Sequence, residues 1–168
     1  MQRRFLLTLT AAAAALGLSA CGFELRKAPN FPFKVLFSPF PETSPLGVEL
    51  KRSLESNGNV QVITDSRLID KADVILDALG ELREKVVVSR NAAGLVREFQ
   101  LRLRFRFTLR TPKGKQLISN AEIAQQRDIS FNESAVLAKE TEEALLYREM
   151  QSDIVQQVMR RLAAVTEL

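Results

Sequence analysis

The chain has 168 residues, 46% hydrophobic and 26% charged, an ordinary globular balance, and its length suits one domain with a full core. It carries no His, no Trp, one Tyr and one Cys. That inventory excludes imidazole-based triads and dyads, His-bearing metal sites, zinc clusters and intramolecular disulfides.

Arg3 and Arg4 precede an uncharged apolar run, Phe5 to Leu18, of signal-peptide length and short for a bilayer span. Leu18-Ser19-Ala20-Cys21 looks like a bacterial lipobox. Such a signal predicts removal of residues 1–20, diacylation of the Cys21 thiol, and a third chain on the amino group set free. One acyl chain binds a membrane marginally and two hold it, at about 0.8 kcal/mol per buried methylene. Cys21 is therefore expected to be a lipidation site rather than a nucleophile or ligand; a secretory signal followed by a free thiol is the plainer alternative. Gly22 follows, not the Asp that resembles an inner-membrane retention signal, which points to the outer membrane and its periplasmic side. Arg3 and Arg4 leave with the leader, halving the net charge of +4, so charge implies no nucleic-acid partner.

Five of the six prolines, Pro29, Pro32, Pro39, Pro41 and Pro45, fall between Phe23 and Pro45. Residues 21–32 are expected to be the lipidated N-terminus and tether, and 33–168 a single domain. A first strand is expected within Lys34 to Phe40. Ser44-Pro45 is a cap followed by a first helical position, with Leu46, Leu50 and Leu54 on one face and Asn57-Gly58 as the stop. Val60 to Thr64 reads as a second strand, and strand, helix, strand implies a right-handed crossover between parallel neighbours.

Ala72 to Arg90 reads as a long strand with Val74, Leu76, Ala78 and Leu82 on one parity and a bulge near Gly80. Asn91 to Gly94 is a turn. Val96 to Thr111 alternates most clearly: Phe99, Leu101, Leu103, Phe105, Phe107 and Leu109 point one way, Arg102, Arg104, Arg106 and Arg110 the other. After a turn at Thr111 to Gly114, Leu117 to Ile129 is a further strand. Ser130 with Glu133 fits a capping box opening a helix to about Val165, with Tyr147, Met150, Ile154, Val158, Leu162 and Val165 as its apolar stripe. Glu140 to Glu143 interrupt that stripe, so the first half of the helix reaches past the sheet or has a separate partner. The expected fold is α+β, a two-layer sandwich of two helices on one face of a mixed, mostly antiparallel four- to five-stranded sheet.

No G-x-S-x-G, S-x-x-K, G-x-x-x-x-G-K or G-x-G-x-x-G occurs, and Asp65, Asp70, Asp73 and Asp77 are too widely spaced for an EF-hand loop. No enzyme, metal site or cofactor is expected. Same-face residues on a strand lie about 6.6 Å apart, so the four arginines line about 25 Å of sheet surface. Their guanidinium groups suit phosphate and carboxylate oxygens. Two readings stand side by side: an anion or partner face, or cross-strand pairing with Asp77, Glu81, Glu122 and Asp128. The Phe and Leu side is expected to fill a core rather than to line an acyl cavity.

Two stretches carry a family resemblance. Cys21-Gly22-Phe23-Glu24-Leu25-Arg26 is similar to the mature start of the LPS-assembly lipoproteins, the small subunit of the outer-membrane lipopolysaccharide translocon. Ala138-Lys139 through Glu142, Leu145, Tyr147 to Met150, Asp153 and Arg160-Arg161-Leu162 resembles that family's C-terminal signature. Glu24 replaces the family's His or Gln, and Lys27 a common Gly; both lie in the anchor region. The resemblance implies a non-enzymatic, lipid-anchored domain that sits inside a large β-barrel partner, plugs its lumen, helps it assemble and contacts lipopolysaccharide bound for the outer leaflet. It also implies lipopolysaccharide-contacting residues at the sheet edge and the start of the last helix. Lys139 falls within the matched helix motif, while Arg90 and Arg97, flanking the turn, correspond by position. Arg104 and Arg106 of the ridge stand second. The alternative is a free-standing, periplasm-facing lipoprotein that binds or shuttles an anionic lipid.

Overall fold

The computed structural model describes residues 29–41, 43–56 and 60–168; the leader, Cys21, most of the tether and the Asn57-Gly58 stop lie outside them. In chain order the elements are β1 (Val35–Phe37), α1 (Pro45–Ser56), β2 (Gln61–Ile63), a 3-10 turn (Ser66–Lys71), β3 (Val74–Arg90), β4 (Val96–Arg110), β5 (Gln116–Ser130), a second 3-10 turn (Glu133–Ala135) and α2 (Val136–Ala163). One five-stranded sheet runs in the order β2-β1-β3-β4-β5. β1 is parallel to both its neighbours, and β3, β4 and β5 are antiparallel. The α+β sandwich expected from the sequence is therefore the fold observed.

α1 is the crossover from β1 to β2. The Ser44 hydroxyl accepts from the Gly47 N–H at 3.1 Å, and Pro45 needs no partner at the first helical position. Leu46, Leu50 and Leu54 turn inward, as their spacing requires. α1 packs on β2 and α2, and α2 lies over β5 and β4. Beneath them, Leu101, Leu103, Phe105, Phe107 and Leu109 are wholly buried with Met150, Ile154, Val158 and Leu162. Each such side chain contributes about 1.5–3 kcal/mol over its exposed state. The Phe and Leu side of β4 is thus a filled core. A smaller cluster of Phe37, Ala72 and Ile75 packs with Val35, Ile63 and Ile69.

Three details differ from the sequence reading. β1 has three residues rather than seven: Ser38 N–H still bonds the Ile63 carbonyl of β2 at 3.0 Å, but Pro39 and Pro41 bring no N–H to a ladder. In β3 the bulge expected near Gly80 is present, between Ala78 and Gly80, but it inverts the parity assigned beyond it: Leu76 is buried, yet Leu82 sits opposite Arg104 on the open face, 47% exposed. Finally, Ser130 is the last residue of β5 and not a helix cap. Asn132 takes the capping role on the 3-10 turn, accepting from Ser134 N–H at 3.0 Å, and the α-helix proper starts at Val136 and ends at Ala163.

Candidate functional site

The β3-β4 hairpin tip, the end of β5 and the start of α2 meet at one end of the sheet. Arg90 closes β3 opposite Val96. The Asn91 side-chain oxygen accepts from the N–H groups of Ala93 at 3.0 Å and Leu95 at 2.9 Å, which shapes the turn, and Gly94 supplies its φ of +80°. Arg90 Nη1 donates to the Gly94 carbonyl at 3.0 Å. Arg97 lies one residue into β4, and its carbonyl accepts from Phe131 N–H at 2.8 Å. That bond ties the hairpin base to the segment leading into α2. Lys139 Nζ donates to Ser130 Oγ at 3.0 Å and to Glu142 Oε2 at 2.8 Å. The fold brings Arg90, Arg97 and Lys139 to one end of the sheet; of the three, Arg97 lines a small cleft there, with Asn91, Leu95, Phe131, Asn132 and the acidic Glu133.

Their electrostatic states differ. Arg90 and Arg97 are exposed and pair with no carboxylate among the described residues. Lys139 is already paired with Glu142, a contact worth under about 1 kcal/mol at a surface and readily exchanged for a stronger anion. Nearby, Lys85 bonds Glu143 at 2.6 Å and lies 4.4 Å from the centre of the Phe99 ring, which in turn meets Phe131 edge-on.

The arginine ridge divides between its two readings. Arg110 pairs with Asp77 at 2.7 Å, as cross-strand neutralisation requires. Arg104 pairs with Glu84 at 2.7 Å and not with Glu81, because the bulge swings Glu81 to the helix side, where Ser44 reaches it at 3.5 Å. Asp128 accepts from Gln100 instead of from an arginine. Arg102 Nε donates to Gln100 Oε1 at 2.8 Å. Arg106 stands opposite Glu122 in register, yet no ion pair joins them. Two ridge positions, Arg102 and Arg106, thus keep uncompensated charge among the described residues. The Nε of Arg104 is buried without a partner, and Arg102 and Arg104 open onto a groove shared with Ala124, Gln126 and Arg127.

The apolar half of this surface was missed in the sequence. Leu82 and Val86 of β3 lie opposite Arg104 and Gln100, with Glu84 between them opposite Arg102, so two aliphatic side chains stand on the open face beside the guanidinium groups. Gly80 inside an alternating pattern was the signal that parity would invert there. The N-terminal half of α2 is likewise unpartnered: Leu137 is 80% exposed, and Val136 and Leu145 are also exposed. Polar ties hold that half in place. Tyr147 donates its hydroxyl to the Glu84 carbonyl at 2.7 Å under the Arg83 guanidinium, and Glu143 pairs with Lys85. Burial, with the Glu143 charge adding to it, pushes the Tyr147 hydroxyl above the usual phenol range. Among the described residues no group of acidic or Cys side chains is arranged to hold a metal ion, and no helix is long and apolar enough to cross a membrane.

Comparison with known proteins places this geometry. Residues 34–162 match the family model LptE, described as lipopolysaccharide-assembly. The LPS-assembly lipoproteins LptE of Yersinia pestis (strain Pestoides F) and Yersinia pseudotuberculosis (strain YPIII) are each 30% identical over 166 residues, covering 97% of this chain and 78% of theirs. The solution NMR structure of the uncharacterized lipoprotein B from Nitrosomonas europaea aligns with a TM-score of 0.72 at 32% identity, over 85% of this chain and 91% of that one. Rare lipoprotein B from Shewanella oneidensis shares the fold, with a TM-score of 0.65 at 21% identity, over 78% of this chain and 94% of that one. With most of its length inside the family model and 97% of it aligned to curated relatives at 30% identity, the chain belongs to the LptE family of lipopolysaccharide-assembly proteins.

Proposed function

We infer that this chain works in lipopolysaccharide assembly as a lipid-anchored, non-enzymatic subunit of the outer membrane. In this reading residues 1–20 are a cleaved leader, Cys21 carries the acyl anchor, residues 21–32 are the tether and 33–168 form the working domain. The domain faces the periplasm, sits in the lumen of a large β-barrel partner, plugs it and helps it assemble. It binds lipopolysaccharide on the way to the outer leaflet, with no cofactor and no nucleic acid involved.

The observation that carries the reading is the gathering of Arg90, Arg97 and Lys139 at one end, continued by Arg102 and Arg106 alongside Leu82 and Val86. Lipopolysaccharide offers phosphates and carboxylates next to apolar chains, and a surface with cations beside aliphatic groups matches both. Leu137, Leu145, Leu95 and Leu79 are exposed, and a surrounding barrel wall would cover them. A plug surrounded on most sides would bury well over the roughly 1,600 Å² of a standard interface.

Three measurements test it. Mild-detergent extracts at native expression should show the protein co-migrating with a large barrel; a monomer alone would favour the free-standing lipid carrier. Metabolic labelling with a clickable fatty acid should mark the wild type and not Cys21→Ala, which should still fold because Cys21 precedes the 33–168 domain in the chain. The purified protein should bind lipopolysaccharide more weakly as salt rises.

A further inference from the structure

A second candidate site lies away from the basic end. Between α1 and the parallel pair β1-β2 is a half-open cavity of about 280 Å³, walled by Leu36, Phe40, Leu50, Leu54 and Val62. Ser38 follows the last residue of β1, and Thr64 follows the last residue of β2; both line it. The cavity thus sits at the carboxyl ends of parallel strands, where a crossover helix opens the crevice that α/β units use for ligands. Gly47 keeps the entrance in shape: a Cβ there would stand 2.7 Å from Phe40 Cβ and Cγ, so a side chain would push Phe40 out of the wall.

Three polar side chains, Ser38, Lys51 and Thr64, break the apolar lining, and the first two are without partners among the described residues. Ser38 is 4% exposed, and its backbone N–H is used, but its hydroxyl is buried with no hydrogen-bond partner. A buried hydroxyl left unpaired is a standing cost in a folded protein, and an incoming oxygen acceptor relieves it. Lys51, exposed on α1, lines the same cavity and pairs with no carboxylate among the described residues. Apolar walls, an unpaired donor and a free cation match one ligand chemistry. We propose that this cavity binds a single unbranched acyl chain with an anionic head, the chain among the leucines and the head oxygens at Lys51 and Ser38. At roughly 30 Å³ per water-sized group the space takes about nine methylenes. The site is separate from Arg90, Arg97 and Lys139 and does not depend on them.

The test uses the mature polypeptide, residues 21–168 with Cys21→Ser, and decanoate as probe, followed by displacement of a dansylated fatty acid. Saturable one-to-one binding is expected. Val48, 42% exposed on α1, lines the cavity outside the core, so Val48→Trp should block it and abolish binding with an unchanged thermal melt. Lys51→Glu should weaken decanoate at least tenfold and leave decan-1-ol unaffected; Ser38→Ala should weaken decanoate at least threefold. The Arg90→Ala/Lys139→Ala variant should bind decanoate as the wild type does, which separates this site from the lipopolysaccharide reading. Competition by decanoyl lyso-phosphatidylglycerol would assign the chain to a membrane lipid, and its failure to compete would assign it to a free fatty acid. Binding that does not saturate, or that survives Val48→Trp or Lys51→Glu unchanged, overturns the proposal; if Val48→Trp melts early, Lys51→Glu alone decides.

Discussion

The two ends of β3 live in different surroundings. At its start Val74, Ile75 and Leu76 are all buried, with core on both faces of the sheet. Past the bulge, Leu82, Val87 and Val88 are 37–47% exposed, and charged residues fill the helix side. The neighbouring elements divide in the same way: the carboxyl halves of β4 and α2 are packed against each other, while the hairpin tip and the first turns of α2 project. Apolar burial stabilises by about 25 cal/mol per Å² removed from water, so the packed end carries the stability of the domain. The projecting end contributes little to folding, which leaves its side chains free to meet a ligand or a partner.

The largest effect should come from the packed end. Leu76→Ala empties a wholly buried site and is expected to cost about 2–5 kcal/mol, read as a lower urea midpoint at constant slope. A loss under 1 kcal/mol would mean that this end is not the stable one.

At the projecting end, binding should change while stability does not. Replacing Arg90 and Lys139 with Ala should weaken lipopolysaccharide binding by about 1.5–3 kcal/mol for each strong charged hydrogen bond removed. Circular dichroism should show the same melt as wild type, because neither side chain belongs to the core. Unchanged affinity, or affinity indifferent to salt, would move the ligand elsewhere on the surface.

Tyr147 joins the two ends. Tyr147→Phe removes the bond to the Glu84 carbonyl and should cost about 0.5–1.5 kcal/mol at pH 7. Because burial holds the hydroxyl protonated above the usual phenol range, the native protein keeps a proton that the unfolded chain releases near pH 10. This stabilisation is fully present below that pH and is lost as pH rises through the native value. The gap between wild type and Tyr147→Phe should therefore narrow above pH 10 in parallel denaturation curves.

How much of this was legible beforehand depended on whether one residue's environment fixes the next. β4 was readable because twelve residues alternate without interruption, and Leu46, Leu50 and Leu54 named the buried face of α1 for the same reason. Parity beyond Gly80 was not: Gly80 marked the bulge, but whether an irregularity there reverses every later side chain is decided by the pairing with the partner strand. Ser130 has the type of a cap, but its pairing with Glu98 keeps it in the sheet and leaves the capping role to Asn132. At the candidate site, Arg90, Arg97 and Lys139 were grouped through the family resemblance, Lys139 by its motif and the two arginines by position beside the turn. That Glu142 occupies Lys139 and Glu84 occupies Arg104 depends on side-chain reach across elements, which spacing along the chain does not encode.

The smallest expected effect on folding sharpens the comparison most. Leu82 shares its parity with Leu76 in the sequence, so a reader without the bulge would assign both to one core and expect Leu82→Ala to cost as much as Leu76→Ala. In the folded chain the register shift places Leu82 beside Arg104 on the open face, nearly half exposed, where truncation removes little buried area and opens no cavity. Leu82→Ala should therefore change stability by less than about 0.5 kcal/mol. The same substitution should weaken lipopolysaccharide binding less than loss of Arg90 and Lys139 does, since one aliphatic side chain at a rim is worth less than a charged one. Urea unfolding and lipopolysaccharide titration of the two leucine variants, side by side, check both statements. A large stability loss at Leu82 would place it in the core and return the inverted parity, and with it the amphipathic face, to question.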